Sequence, residues 1–415
     1  MLSREENALL TRTGPGTPMG QLMRRYWLPA FLAEELNGPD GPPIRVRLLG
    51  EELVAFQDSE GRIGLLGEHC PHRGTSLFFG RNEQCGLRCT YHGWKFDVQG
   101  NVLDMPAEPP EADFKRKVRH VAYPCHEAAG LVFAYLGPPG TQPLFPRYEW
   151  TDSPTGHTFV VKSLIDNNYL QSLEGEVDSA HTAYLHRTFG APGLTQQDGA
   201  PTYETESTDY GVRLLARRRG PSGQTYLRVT NFVMPFYAFL PGTGRLSSDV
   251  GGYDVHFYVP LDDERCWRYD LWFRWHRPVY ANEVLRKTRF IDNDYRRIHN
   301  RHNDYHIDRA AQREVNYTGI ADIVSQDACA TETMGPIYDR SQEHLGASDK
   351  GVIAVRRYLL DAVRAFERGA PPPHVVTDPA ENDFYAIDGL AAYVPADLDT
   401  PAQLASAHGA RAAQP

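Results

Sequence analysis

No stretch of this sequence approaches the roughly 18 consecutive apolar residues that span a bilayer, so no membrane segment is expected. Blocks of lysine or arginine are also missing and the formal net charge is -10, which leaves counterion release little to act on and argues against a nucleic-acid partner. The first residues, MLSREENALL, have neither a basic n-region nor a long apolar run. Ser3 to Glu6 instead fits a capping box opening a short helix, and a cytoplasmic location is expected. Cysteine is scarce, six in 415 residues, too dilute for a disulfide framework. Four of the six, Cys85, Cys125, Cys266 and Cys329, have no paired spacing and are expected to act as small buried apolar groups. Neither a G-x-G-x-x-G fingerprint nor a plant-type Cys-x4-Cys-x2-Cys box occurs, so a redox reaction here would draw its electrons from a separate protein.

Length sets the next bound. A chain of 415 residues exceeds a typical single core, so two domains are expected. From Ile44 to Leu136 short β-rich runs alternate with turns, and Gly137 to Pro143 combines helix-breaking residues at the best boundary. The predicted class is α+β, with a small all-β domain followed by a larger domain in which helices flank an antiparallel sheet. The expected divisions are 1–24 as a helical segment, 25–143, 144–400, and 401–415 as a frayed tail. Within the larger domain, a helix-like stretch covers about Asn167 to Leu185. Two hairpins follow, TDYGVRLLARRR with GQTYLRVTNFVMPFYAF and DVHFYVPLDD with CWRYDLWFRW. The charged span from Ala281 to Asn316 suits a solvated helical excursion, and VIAVRRYLLDAVRAFERG a helix ending at Gly369.

Residues 70 to 94 carry the most specific chemistry: Cys70-x-His72, sixteen intervening residues, then Cys89-x2-His92. Structural zinc sites usually place like ligands on one arm, whereas here each arm brings one sulfur and one nitrogen. Two thiolates for one iron and two imidazoles for the other is the demand of a Rieske [2Fe-2S] centre. The competing interpretation is a zinc knuckle. These boxes, with the adjoining Pro-His-Arg-Gly and Tyr-His-Gly-Trp, resemble those of the Rieske ferredoxin family.

A second constellation lies in LEGEVDSAHTAYLH, with Glu174, Asp178, His181 and His186. Five positions turn an ideal helix about 140° beyond a full turn, so His181 and His186 reach one metal only if the helix bends or breaks. Asp178, three residues before His181, is placed to accept its free ring N–H. Two histidines with one carboxylate form the facial triad of non-haem Fe(II) oxygenases. Asp322, Asp327, Asp339 and Asp349 are all candidates for the carboxylate.

From Met1 to about Pro395 the chain resembles the oxygenase (alpha) subunits of Rieske aromatic-ring-hydroxylating oxygenases, most closely the phthalate 4,5-dioxygenase type. The matching stretches are MGQLMRRYWLPAFLAEEL, GLRCTYHGWKFD and DRSQEHLGASD. The resemblance implies a Rieske [2Fe-2S] cluster, a mononuclear Fe(II) on His181, His186 and Asp327 with Asp339 as runner-up, O2 as co-substrate and a separate NAD(P)H-dependent reductase. It also implies a homo-oligomer of trimers or stacked trimers, in which Asp178 links His181 to a neighbour's cluster histidine, His92. Hydroxylation of a small aromatic, a phthalate- or benzoate-type carboxylate, is the expected reaction. Monooxygenation or demethylation, or an electron-transfer role without catalysis, is the alternative. Ser179, Asn231, Arg245 and His256 are the polar candidates for a substrate cavity lined by the aromatic strands. His299, His302, His306 and Arg217 to Arg219 are expected to be solvated and outside the site.

Overall fold

The computed structural model describes residues 1–109, 111, 114–190, 198–242 and 251–395. Arg245 and the expected tail from 401 lie outside them. The chain opens on the helix Arg4–Thr11, whose first turn is closed by the reciprocal Ser3 and Glu6 bonds of a capping box.

Three small antiparallel sheets follow. Trp27–Leu32 pairs with Leu131–Tyr135, which pairs with Cys125–Ala128, so the first and last strands of the β domain meet. Ile44–Leu48, Glu51–Gln57, Ile63–Gly67 and Ala122–Tyr123 form the second sheet. Arg81–Glu83, Gly86–Arg88, Lys95–Phe96 and Val102–Asp104 form the third. Val54, Phe56, Leu66, Leu77, Leu87, Trp94 and Phe96 fill a separate small core that also buries Cys70 and Cys89.

Beyond the turn at 137–143 the architecture changes to one eight-stranded antiparallel sheet. Its order runs Thr158–Ile165, Cys266–Phe273, Tyr253–Pro260, Tyr237–Pro241, Thr225–Val233, Gly211–Arg219, Thr202–Ser207, with Leu390–Val394 also paired to Thr225–Val233. Both expected hairpins are present in register, Gly211↔Val233 and Tyr253↔Phe273. The helix Lys350–Glu367 buries Val352, Val355, Leu359, Leu360 and Val363 along one stripe. It stops where Gly369 takes φ +89, a left-handed position that glycine adopts without strain.

Two expectations change. The stretch 167–185 is not one helix: the Asn168 side chain caps Tyr169–Glu176, the helix ends at Val177, and a single 3-10 turn spans His181–Ala183. The span 281–316 is α-helical only at Ala281–Thr288 and Arg309–Glu314. Between them Arg297 and Tyr305 are buried, because their side chains bond to the helix Ile323–Glu332 through Ser325 and Glu332. Among the described residues no helix is long and apolar enough to cross a membrane.

Candidate metal centres

The two arms of the first centre share one backbone device. In the first, Cys70 N–H donates to Thr75 O at 2.9 Å and Gly74 N–H to Cys70 O at 2.8 Å. In the second, Cys89 N–H donates to Trp94 O at 2.8 Å and Gly93 N–H to Cys89 O at 3.1 Å. Each cysteine is thus followed four residues later by a glycine, at φ +76 and +77, where a side chain would strain the turn. At Gly93 a Cβ would also sit 2.6 Å from Pro106 Cγ.

Equivalent loops aim equivalent ligands at one point. Both thiols are free and buried. Burial, with the neighbouring Cys89 thiol adding to it, pushes the Cys70 thiol up to about 11. A cation between the sulfurs relieves that cost, since a coordinating thiol is deprotonated outright. The His72 and His92 rings lie 4.4 Å apart between centroids, with His72 stacked on Trp94 at 4.5 Å. Two thiols inward and two imidazoles outward fit a [2Fe-2S] cluster of the Rieske kind. Of the other four cysteines only Cys266 is buried; Cys85, Cys125 and Cys329 are partly exposed, the last two packed at the edge of the main core.

The second centre forms where the 167–185 helix breaks. The single 3-10 turn at His181–Ala183 and the turn at 184–186 that follows it bring His186 toward His181, and the Ile323–Glu332 helix supplies Asp327 from the other side. His186 Nε2 lies 3.1 Å from Asp327 Oδ1 and His181 Nε2 3.8 Å from it. One ligand atom from each of the three falls within 4.8 Å of the others. Asp339 is elsewhere, half-exposed beside Arg4 and Ser341, and Asp322 is occupied as the N-cap of the Ile323–Glu332 helix.

Burial disfavours a charged His181, yet the carboxylates of Asp178 and Asp327 outweigh it and hold its pKa above the ordinary imidazole value. Asp178 stands 3.7 Å from His181 Nδ1, too far for a hydrogen bond, and among the described residues that buried nitrogen has no hydrogen-bond partner. A divalent cation between two imidazoles and a carboxylate satisfies this donor set, and His₂-carboxylate suits non-haem iron.

The polar candidates separate. His256 lies near the triad in a buried charge cluster: its Nδ1 is 2.8 Å from Glu176 Oε1, to which Tyr258 also donates. On the next strand Asp270 lies directly opposite His256 and Arg268 opposite Tyr258, and Arg268 Nη1 reaches to 4.0 Å from Asp327 Oδ2. Asn231 is not brought there; its amide is taken by Tyr210 Oη and Asp388 O. Ser179 is buried two residues before His181, where its Oγ accepts from Arg218 Nη1 at 3.0 Å and its carbonyl from Nη2 at 2.5 Å.

The expectation that Arg217 to Arg219 form an exposed end therefore fails for Arg218, which is 2% exposed. Alternation along the strand sends Arg217 and Arg219 one way and Arg218 the other, the one signal that could have found it. His299 is likewise half-buried against Asp322, at 3.2 Å.

Comparison with known proteins gives the family. The Rieske [2Fe-2S] domain family matches residues 26–124 and the family described as LigXa C-terminal domain like matches 134–399. The phthalate 4,5-dioxygenase oxygenase subunit of Pseudomonas putida is 41% identical, covering 89% of this chain and 88% of its own. The 3-chlorobenzoate-3,4-dioxygenase oxygenase subunit of Comamonas testosteroni is 36% identical over 90% and 92%. Dicamba monooxygenase bound to 3,6-dichlorosalicylic acid shares the fold at TM-score 0.61 and 18% identity, covering 84% of this chain and 99% of that one. A Rieske [2Fe-2S] domain joined to a sheet-and-helix catalytic domain, matched over most of its length by such relatives, makes this chain a member of the Rieske non-haem iron oxygenases, an oxygenase subunit of the phthalate 4,5-dioxygenase-like kind and an oxidoreductase that incorporates O2.

Proposed function

We propose that Cys70, Cys89, His72 and His92 hold the Rieske cluster, that His181, His186 and Asp327 hold the mononuclear iron, and that the substrate is an aryl carboxylate. When bound, these groups supply one-electron transfer and O2 activation. The convergence of His181, His186 and Asp327 is the observation that carries the assignment.

The substrate class rests on Arg218. Its guanidinium is buried, makes no ion pair with a carboxylate among the described residues, and is held against Ser179, two residues before His181. Burial lowers it from the usual guanidinium value without discharging it, since arginine stays protonated in proteins. Three of its five N–H groups are used, on Ser179 Oγ, Ser179 O and Asp198 O, which leaves two for a planar carboxylate. Relatives named for phthalate, 3-chlorobenzoate and phenoxybenzoate favour the same class. A relative named as 5,5'-dehydrodivanillate O-demethylase oxygenase subunit, at 33% identity, favours demethylation as the second outcome.

Electrons come from a separate reductase, and the oligomer is a trimer or stacked trimers. Asp178 is partly exposed, with one oxygen taken by Ala180 N–H and the other facing His181; His92 is partly exposed beside the exposed Tyr91. Both ends of the proposed inter-subunit link are thus accessible.

Oxygen uptake with a reconstituted reductase and a panel of phthalates, benzoates and methoxybenzoates, with product masses, tests the substrate class. Arg218→Met should raise KM for carboxylates about 10-fold or more, the loss of a charge-assisted bond of about 1.5–3 kcal/mol, and leave their amides nearly unaffected. Equal effects on acid and amide would remove Arg218 from the substrate site.

A further inference from the structure

We infer that Gln326 is the positioning residue that fixes the tautomer and orientation of His186, an inference that rests on the ligand assignment proposed above.

The logic starts from a carbonyl. Gln326 Nε2 donates to Ile320 O at 2.9 Å, and a backbone carbonyl can only accept. That bond settles which end of the amide is nitrogen, an assignment that atomic positions alone leave open. Its Oε1 therefore faces His186 Nδ1, at 2.8 Å. An amide oxygen can only accept as well, so Nδ1 carries the ring proton. A neutral imidazole has one N–H, and the Nε2 lone pair is left to point at the triad, 3.1 Å from Asp327 Oδ1.

The support continues behind Gln326, which is 5% exposed. It sits in the first turn of Ile323–Glu332, where Asp322 caps the helix through Ser325 N–H and is itself held by Arg297 Nη2 at 2.5 Å. Neighbouring residues on a helix diverge by about 100°, so one turn presents Asp327 as a ligand and Gln326 as the holder of another ligand. His181 has no such holder among the described residues: its Nδ1 is buried there without a hydrogen-bond partner. The two histidines are thus unequal within one chain. His186 is oriented by its own fold, and His181 is left to Asp178.

Co(II) binding to the full-length protein, depleted of mononuclear iron but with its cluster absorbance intact, tests this by equilibrium dialysis. Gln326→Leu removes the acceptor and should weaken Co(II) binding about 10–100-fold, the usual cost of losing such a partner. Gln326→Glu keeps an acceptor for Nδ1–H but cannot donate to Ile320 O, and should bind within about threefold of wild type or tighter. If Gln326→Glu is as weak as Gln326→Leu, the Ile320 bond and not the histidine contact carries the effect, and the inference falls. It falls equally if Gln326→Leu binds like wild type while His186→Ala loses the metal. Wild-type binding by His186→Ala would instead overturn the ligand assignment beneath it.

Discussion

Glu174 belongs to the motif that resembles an iron-binding box, yet the structure gives it a different task. Arg340 donates to both of its oxygens at 2.9 Å, and Arg356 Nε donates to Oε1 at 2.6 Å. Arg356 in turn clasps Glu343, and Arg340 Nη1 bonds to Asn7 of the first helix. Two cations and two anions alternate, with Arg340 fully buried. Glu174→Gln leaves a net positive charge in this buried cluster. Removing one partner of such a set costs about 3–5 kcal/mol, or about 6–20 °C in melting temperature at roughly 2–4 °C per kcal/mol for a domain of this size.

The pH dependence carries a sign. Burial pushes the Glu174 carboxyl up, but Arg340 and Arg356 overcompensate and hold it below its ordinary 4.5. Its folded value is therefore below the unfolded one, so the contribution is complete above the unfolded pKa and is lost as pH falls through the folded pKa. Melting followed by circular dichroism should show the full gap between wild type and Glu174→Gln at pH 7, narrowing below about pH 4.5. Metal content at low temperature should stay at the wild-type level. A melting temperature unchanged at pH 7, or loss of the mononuclear metal without loss of stability, would refute this assignment.

Three further outcomes follow from the site. Asp327→Ala should lower mononuclear iron strongly while Asp339→Ala, which alters only a half-exposed residue near Arg4, should leave it unchanged; metal analysis per chain decides, and the reverse result moves the ligand to Asp339. Asp178→Asn should retain its iron and lose turnover by orders of magnitude, because the amide lacks the charge that favours an imidazole N–H. Mixed oligomers of Cys89→Ala and His181→Ala subunits should then regain some activity, whereas inactive mixtures would exclude an inter-subunit electron route.

The proposed cluster arms were legible because both are local: Cys70 to His72 and Cys89 to His92 carry their own glycine turns, and nothing distant is needed to form them. The histidines proposed for the iron were legible for a similar reason, including the need for a departure from α-helix between His181 and His186, where the chain forms a single 3-10 turn at His181–Ala183 followed by a turn at 184–186. Asp327 is different. It joins the triad from a helix about 140 residues away, so spacing could not separate it from its neighbouring aspartates, and the family resemblance alone singled it out. Arg218 escaped because three consecutive arginines before a turn look solvated, although strand alternation buries the middle one. Gln326 escaped because a neutral amide beside an aspartate carries no motif; its role exists only once His186 and Ile320 O are brought to either end of it.

The most direct test of the account is iron and sulfide analysis, with the visible spectrum, on wild type, Cys89→Ala and His181→Ala. The account predicts about three irons and two sulfides per wild-type chain, a bleached spectrum in Cys89→Ala, and in His181→Ala an intact cluster spectrum with about one iron fewer and no oxygenation. A colourless wild-type protein loaded with zinc, or loss of the cluster spectrum in His181→Ala, would contradict it.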